Sequence, residues 1–202
     1  MKKIFLLFVA VATLSVGSAS AQGWLDALKG AATTVVDKVT GGQATQIMLP
    51  GTWSYNAPAM RLTSEDNLLA DVASSAMVSG IEDKLVKAYS FIGIKQGSCT
   101  FTFNTDNTFT ALMGKHNLSG TYSYTADTHL IELNFTSSLL KLTPMKGYAY
   151  IDGSSLELVF DCSKLMTFLT KLGSKVSMLN GITSLAQNYD GMMLGFGFTR
   201  NK

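Results

Sequence analysis

Histidine and cysteine are scarce in this chain, with two of each in 202 residues. His116 and His129 stand thirteen positions apart, each beside a turn, and no ligand lies at metal-binding spacing from either. Both read as solvent-exposed turn residues, and no metal site is expected. Neither a Gly-X-Ser-X-Gly nucleophile elbow nor a glycine-rich phosphate loop with a following lysine occurs. The acidic pairs Glu65-Asp66 and Glu82-Asp83 sit at expected helix starts, where carboxylates favour the helix dipole without catalysing anything. No catalytic residue and no cofactor is therefore nominated, and the expectation is a protein that is not an enzyme. Clusters of lysine and arginine are missing too, which removes the electrostatic footprint of a nucleic-acid binder.

Long apolar runs are also absent. The longest, Ile4 to Leu14, falls short of the roughly 20 residues that a membrane span needs. Lys2 and Lys3 precede it and Ala19-Ser20-Ala21 follows it, the arrangement of a secretory signal with Gln22 as the new N-terminus. Residues 1–21 are thus expected to be a cleaved signal peptide, placing the protein in the periplasm or outside the cell. The mature chain of 181 residues then carries 14 basic and 14 acidic side chains, a net charge of zero, and no integral membrane span.

In an exported protein Cys99 and Cys162 have two open arrangements. They form a disulfide, closing 63 residues and stabilising by roughly 4 kcal/mol on the chain-entropy model, or they are two separate buried thiols.

Residues 22–46 form an amphipathic arm, with Trp24, Leu25, Leu28, Val35, Val36 and Val39 at spacings of three and four before Gly41-Gly42. It either docks on a partner, whose identity the sequence leaves unknown, or on the outer face of a membrane, or else it lies on its own barrel or frays. From residue 47 to 202 the pattern shifts to short runs of period two. Trp53 and Tyr55 share one face, as do Cys99, Phe101 and Phe103. A turn at 104–107 leads to a strand with Phe109. Further strands carry Tyr122 and Tyr124, then Ile131, Leu133 and Phe135, then Tyr148 and Tyr150. Asp152-Gly153 turns the chain into Leu156, Leu158 and Phe160, and Leu194, Phe196 and Phe198 close the series. About eight strands are expected, the number that closes a small barrel.

Two helical insertions interrupt that rhythm. In the first, Thr63 or Ser64 caps a helix with the stripe Leu68, Leu69, Val72, Ala76 and Met77, broken at Gly80 and continued by Leu85, Val86 and Tyr89. In the second, Ser163 caps a helix carrying Leu165, Met166, Phe168, Leu169 and Leu172, with Val176, Leu179 and Ile182 beyond Gly173. Both stripes must bury against the strands.

Gly51-Thr52-Trp53 opening the first strand, with Arg200 in the last, resembles the signature of lipocalins. Phe101-Thr-Phe103, Asp106-Asn107-Thr-Phe109 and Gly120-Thr-Tyr122-Ser-Tyr124 are similar to exported bacterial lipocalin-like domains of unknown function. The resemblance covers about residues 45–202. It implies a mainly β fold: an eight-stranded antiparallel lipocalin-like barrel, closed at one end by Gly51, Trp53 and Arg200 with the guanidinium on the indole face. On the parity of the runs, Phe101, Phe103, Phe109, Tyr122, Tyr124, Phe135, Tyr148, Tyr150 and Phe160 point inward. They either line a cavity for a small apolar ligand, of lipid or fatty-acyl class, or fill a solid core. The first makes the protein a binding protein. The second makes it an interaction or structural module gripping a partner through the arm or the insertions.

Overall fold

A computed structural model describes residues 41–64, 67–71, 76–136, 142–186 and 191–201, without the side chains of 62–64, 67–71, 76–79, 176 and 185–186. The expected signal peptide and arm residues 22–40 lie outside the described residues. Among those described, no helix is long and apolar enough to cross a membrane.

Among the described residues nine strands make one antiparallel sheet: β1 (Gly51–Ser64), β2 (Asn67–Asp71), β3 (Thr100–Phe103), β4 (Thr108–Met113), β5 (His116–Thr125), β6 (Leu130–Phe135), β7 (Met145–Asp152), β8 (Ser155–Asp161) and β9 (Met192–Arg200). From β3 to β9 each strand pairs with the next in sequence, and β9 returns to pair with β1. Eight strands therefore close a barrel, as expected, and β2 extends the far end of β1 outside that circuit. Closure leaves the eight without a free edge. β4 shows why these runs become strands. Phe109, Ala111 and Met113 are buried, whereas Thr110 and Leu112 between them are exposed.

Local turn chemistry sets the hairpins. Asp106 Oδ1 accepts from the backbone N–H and the hydroxyl of Thr108, and Asn107 takes the left-handed conformation that this turn needs. Gly114 serves the β4–β5 turn at φ 62°, where a Cβ would stand 1.9 Å from the carbonyl oxygen of Ile92. β1 is the long strand that serves both β3 and β9. Its register against β9 slips between Tyr55 and Ala57, so Asn56 is an extra residue that bends the strand.

One end of the barrel is sealed by the short helix α1 (Gln43–Met48). The Trp53 indole N–H donates to the carbonyl of Leu49 at 2.9 Å, and the Arg200 guanidinium stands 4.4 Å from the Trp53 ring centre. Arg200 also donates to the carbonyls of Met48 and Pro50. A Cβ on Gly51 would lie 2.6 Å from that guanidinium, and its φ is 144°, so this corner accepts only glycine without rearrangement.

At the other end stand α2 (Ala76–Phe91), α3 (Cys162–Lys171) and α4 (Val176–Ala186). They send Ile81, Leu85, Tyr89, Leu165, Phe168, Leu169, Leu179 and Ile182 into the same core as the strands. Three expectations change here. Residues 67–71 pair with β1 as β2 instead of opening a helix at Thr63 or Ser64, because their apolar residues satisfy a strand facing Arg61 and Leu62 as well as a helical stripe. The first helix starts at Ala76 and runs through Gly80, whose missing side chain leaves open space without breaking the backbone ladder; Glu82-Asp83 consequently lie well inside it. The cap of α3 is Asp161, which accepts from the backbone N–H groups of Ser163 and Lys164, so Ser163 stands within the helix.

Trp53→Ala should destabilise the protein by roughly 3–5 kcal/mol in urea unfolding, because the indole is fully buried and holds α1 to the barrel. A loss below about 1 kcal/mol would place it with surface substitutions.

Candidate functional site

Strand parity in the sequence sorts which aromatic side chains face the barrel interior. Phe101, Phe103, Phe109, Tyr122 and Phe160 are buried and point inward; Tyr124 and Phe135 are half-buried and pack against the same core. Tyr148 and Tyr150 do not. In β7 the buried positions are Met145, Gly147, Ala149 and Ile151, so the tyrosines between them lie on the outer wall. There they cover Ala59 and Val159. Arg61 stands 4.1 Å from the Tyr150 ring centre and pairs with Glu157 at 2.6 Å, and His129 stacks on Tyr150 at 4.6 Å. This outer packing gives two tyrosines the apolar surroundings that their bulk suggested they would find inside.

Neither histidine is a simple exposed turn residue. His129 is buried in a left-handed turn, its Nδ1 2.9 Å from the Tyr124 hydroxyl. His116 is half-buried, with Nε2 2.9 Å from the carbonyl oxygen of Leu172, a contact that ties β5 to the end of α3. Among the described residues no three His, Cys, Asp or Glu side chains gather where they could hold a metal ion.

The aromatic rings inside the barrel touch one another in a closed circuit. It runs from Phe109 to Phe101, Phe198, Tyr55, Tyr89, Phe196, Phe168 and Phe135 and back to Phe109, with ring centres 4.8–6.5 Å apart at each step. Contacts of this geometry add about 0.5–1.5 kcal/mol each beyond area burial. Strands supply six of these rings. Tyr89 comes from α2 and Phe168 from α3, so two helices complete the lining. Tyr89 stacks on Phe196 at 4.8 Å and donates its hydroxyl to the carbonyl of Gly195 at 2.9 Å. Sequence reasoning placed Tyr89 on an apolar helical stripe but had no signal that it enters the barrel.

Beside Phe168 a cleft of about 80 Å³ opens between α3 and the segment leading into β7. Leu142, Met145 and Phe168 make its apolar floor, and Lys164, Thr167 and Lys171 stand along its α3 side. A second concavity, of about 320 Å³, lies on the outer wall of β3–β5 among Thr100, Thr110, Leu112, Asn117 and Ser119.

A family model described as a lipocalin-like domain (DUF4923) matches residues 26–200. The chain belongs to this family. Among solved structures, the lipocalin-like domain is similar to a DUF4847 family protein from Bacteroides vulgatus. The two share 14% identity, with 78% of this chain and 96% of that one covered, at a TM-score of 0.37. No curated protein matches the chain.

The two cysteines of the lipocalin-like domain are free thiols, so of the two arrangements open in the sequence the structure carries the separate one. Cys99 is buried, its sulfur accepting from the Gly114 N–H at 3.2 Å. Cys162 opens α3 and is half-buried; burial first, and then the neighbouring Asp161 carboxylate, push its thiol up to about 11. It is consequently a poor nucleophile near neutrality.

Burial also raises the phenols of Tyr55 and Tyr89 well above the ordinary value near 10. A group whose folded pKa exceeds its unfolded one contributes fully below the unfolded value, and its contribution is lost as pH climbs from there toward the folded value. Urea stability should therefore fall as pH rises above about 10. Tyr89→Phe should reduce that slope and, by stranding the Gly195 carbonyl, cost about 1–3 kcal/mol at pH 7. An unchanged alkaline slope in this variant would show that Tyr89 does not ionise on unfolding.

Proposed function

We propose that this protein is an exported, non-catalytic binding protein that takes a small apolar ligand at the helix-covered end of its barrel. The supporting observation is the cleft that reaches Phe168, because that ring is both part of the cleft floor and a member of the interior aromatic circuit. A ligand entering there meets apolar side chains at once and displaces one helical aromatic instead of unpairing strands. Lipocalin-like membership and the secretory pattern of residues 1–21 point the same way. Export delivers it to the periplasm or the medium, where an apolar molecule needs shelter from water.

A second reading has an observation of its own. The closed circuit of ring contacts suits a solid barrel that serves as a scaffold, with residues 22–40 gripping another envelope protein. Deleting 22–40 leaves α1 and the barrel seal in place, so loss of a cross-linked partner on that deletion would favour the scaffold.

The deciding experiment is saturable binding of a neutral apolar dye, Nile red, to delipidated protein, alongside native mass spectrometry of protein taken from its own envelope. The expected result is one saturable site and a retained ligand. Absence of both would overturn the binding reading.

A further inference from the structure

The sequence scatters its lysines, but the fold gathers four of them at one corner of the helix-covered end. Three chain segments meet there: the end of α2 with the loop after it, the turn between β4 and β5, and the link between α3 and α4. A Cβ on Gly114 in the turn would stand 1.9 Å from the carbonyl oxygen of Ile92, and the Gly114 N–H donates to the Cys99 sulfur at 3.2 Å. His116 reaches the carbonyl oxygen of Leu172 at 2.9 Å, and Ser174 in the link is buried. The Lys175 ammonium stands 5.1 Å from the Phe91 ring centre. The corner is thereby held from three sides.

Phe91, the last residue of α2, is 48% exposed, and Lys87, Lys95, Lys115 and Lys175 are exposed on the same three segments. Lys87 lies one helical turn before Phe91 and shares its face. Residues 87–95, 113–117 and 172–175 contain no aspartate or glutamate. The carboxylates of α2 are Glu82 and Asp83, the latter one turn before Lys87. The C-terminus of α2 brings the equivalent of about half a negative charge, far less than four ammonium groups. The corner is therefore positive, although the chain beyond residue 21 carries equal numbers of acidic and basic side chains. An exposed phenylalanine among lysines suits a boundary between water and lipid. The ring enters the apolar layer, the lysine stems lie along it, and the ammonium groups stay with the headgroups.

We infer that this corner docks on the surface of an anionic phospholipid bilayer, with Phe91 entering the boundary layer and Lys87, Lys95, Lys115 and Lys175 meeting headgroup phosphates. Charge complementarity selects an anionic surface, and Phe91 selects one with an apolar interior over a water-borne polyanion. The contact is peripheral, since no described helix is long and apolar enough to cross a membrane. Each lysine near such a surface strengthens binding about fivefold, and less as salt rises. The inference goes beyond the binding reading and stands on other residues.

The test sediments the full-length mature protein with vesicles of phosphatidylcholine alone, or of equal parts phosphatidylcholine and phosphatidylglycerol. Partition to the phosphatidylglycerol vesicles should be at least about tenfold stronger, with the gap narrowing as salt is raised. Lys87→Gln, Lys115→Gln and Lys175→Gln should each weaken that partition about fivefold. Lys146→Gln, on β7 beside Glu132, should weaken it by less than about twofold. Phe91→Ser should weaken binding while keeping its salt dependence. Thermal unfolding checks that the variants fold. Equal partition to the two vesicles, full binding by Phe91→Ser, or a loss in Lys146→Gln as large as at the corner would overturn the inference. Binding to poly-glutamate without binding to vesicles would assign the corner to an acidic protein and overturn it as well. Nile red binding is read separately, so either proposal can fail alone.

Discussion

The barrel depends on one contact between its first and last strands. The Arg200 guanidinium stands over the indole of Trp53 and donates to carbonyls at the end of α1 and just beyond it, while Trp53 directs its own N–H to the carbonyl of Leu49. The guanidinium is planar, permanently charged and weakly hydrated, so one side chain can stack and bond backbone in the same half-buried corner. A lysine there would supply a point charge and neither the plane nor the fork. Strand register makes the contact unavoidable, because Trp53 faces Arg200 directly across β1 and β9. Gly51 supplies the space. With this corner shut by α1, access to the interior is left to the end where α2, α3 and α4 gather.

That polarity governs what the interior can do. Strand aromatics alone leave the circuit incomplete, and Tyr89 and Phe168 close it from the helices. Strands in a closed barrel are held by ladders on both sides, whereas a helix at the mouth is held by side-chain packing. Any opening therefore draws on the helices first. Phe168 has the looser surroundings of the two, since its ring also borders the cleft, while Tyr89 is fully buried and tied to Gly195. The chain's own rings pack that aromatic surface and hold the barrel interior together.

Much of this was legible in the sequence. The eight strands and their turns followed from alternation and from Asp, Asn and Gly at the corners, and the Gly-X-Trp and late Arg marked where the sheet would meet itself. Alternation failed at β7 for a definite reason. Tyr148 and Tyr150 outweigh Gly147, Ala149 and Ile151 in bulk and aromaticity, but the inner face there must also accommodate neighbouring side chains. A Cβ on Gly147 would lie 2.4 Å from the Phe160 ring. Small inward residues are how this stretch fits, and the tyrosines find apolar cover outside beneath Arg61 and beside His129. Residues 67–71 failed differently, because two adjacent leucines satisfy helix and strand periods alike and only pairing with β1 decides between them.

The site itself was the least legible part, since it is assembled from segments distant in sequence. Nothing near Phe168 announces that it will stack on Phe135 and meet Phe196 edge-on, and Lys164 and Lys171 read as ordinary surface charges of an amphipathic helix. The surroundings of Phe168 come from what the fold sets opposite it. Leu142 and Met145, the first residue of β7, lie against α3, and the barrel wall supplies Phe135 behind. An amphipathic helix normally separates its faces, with apolar residues inward and charges toward water. α3 does so too, yet at Phe168 the inward face remains reachable from the side where the lysines stand.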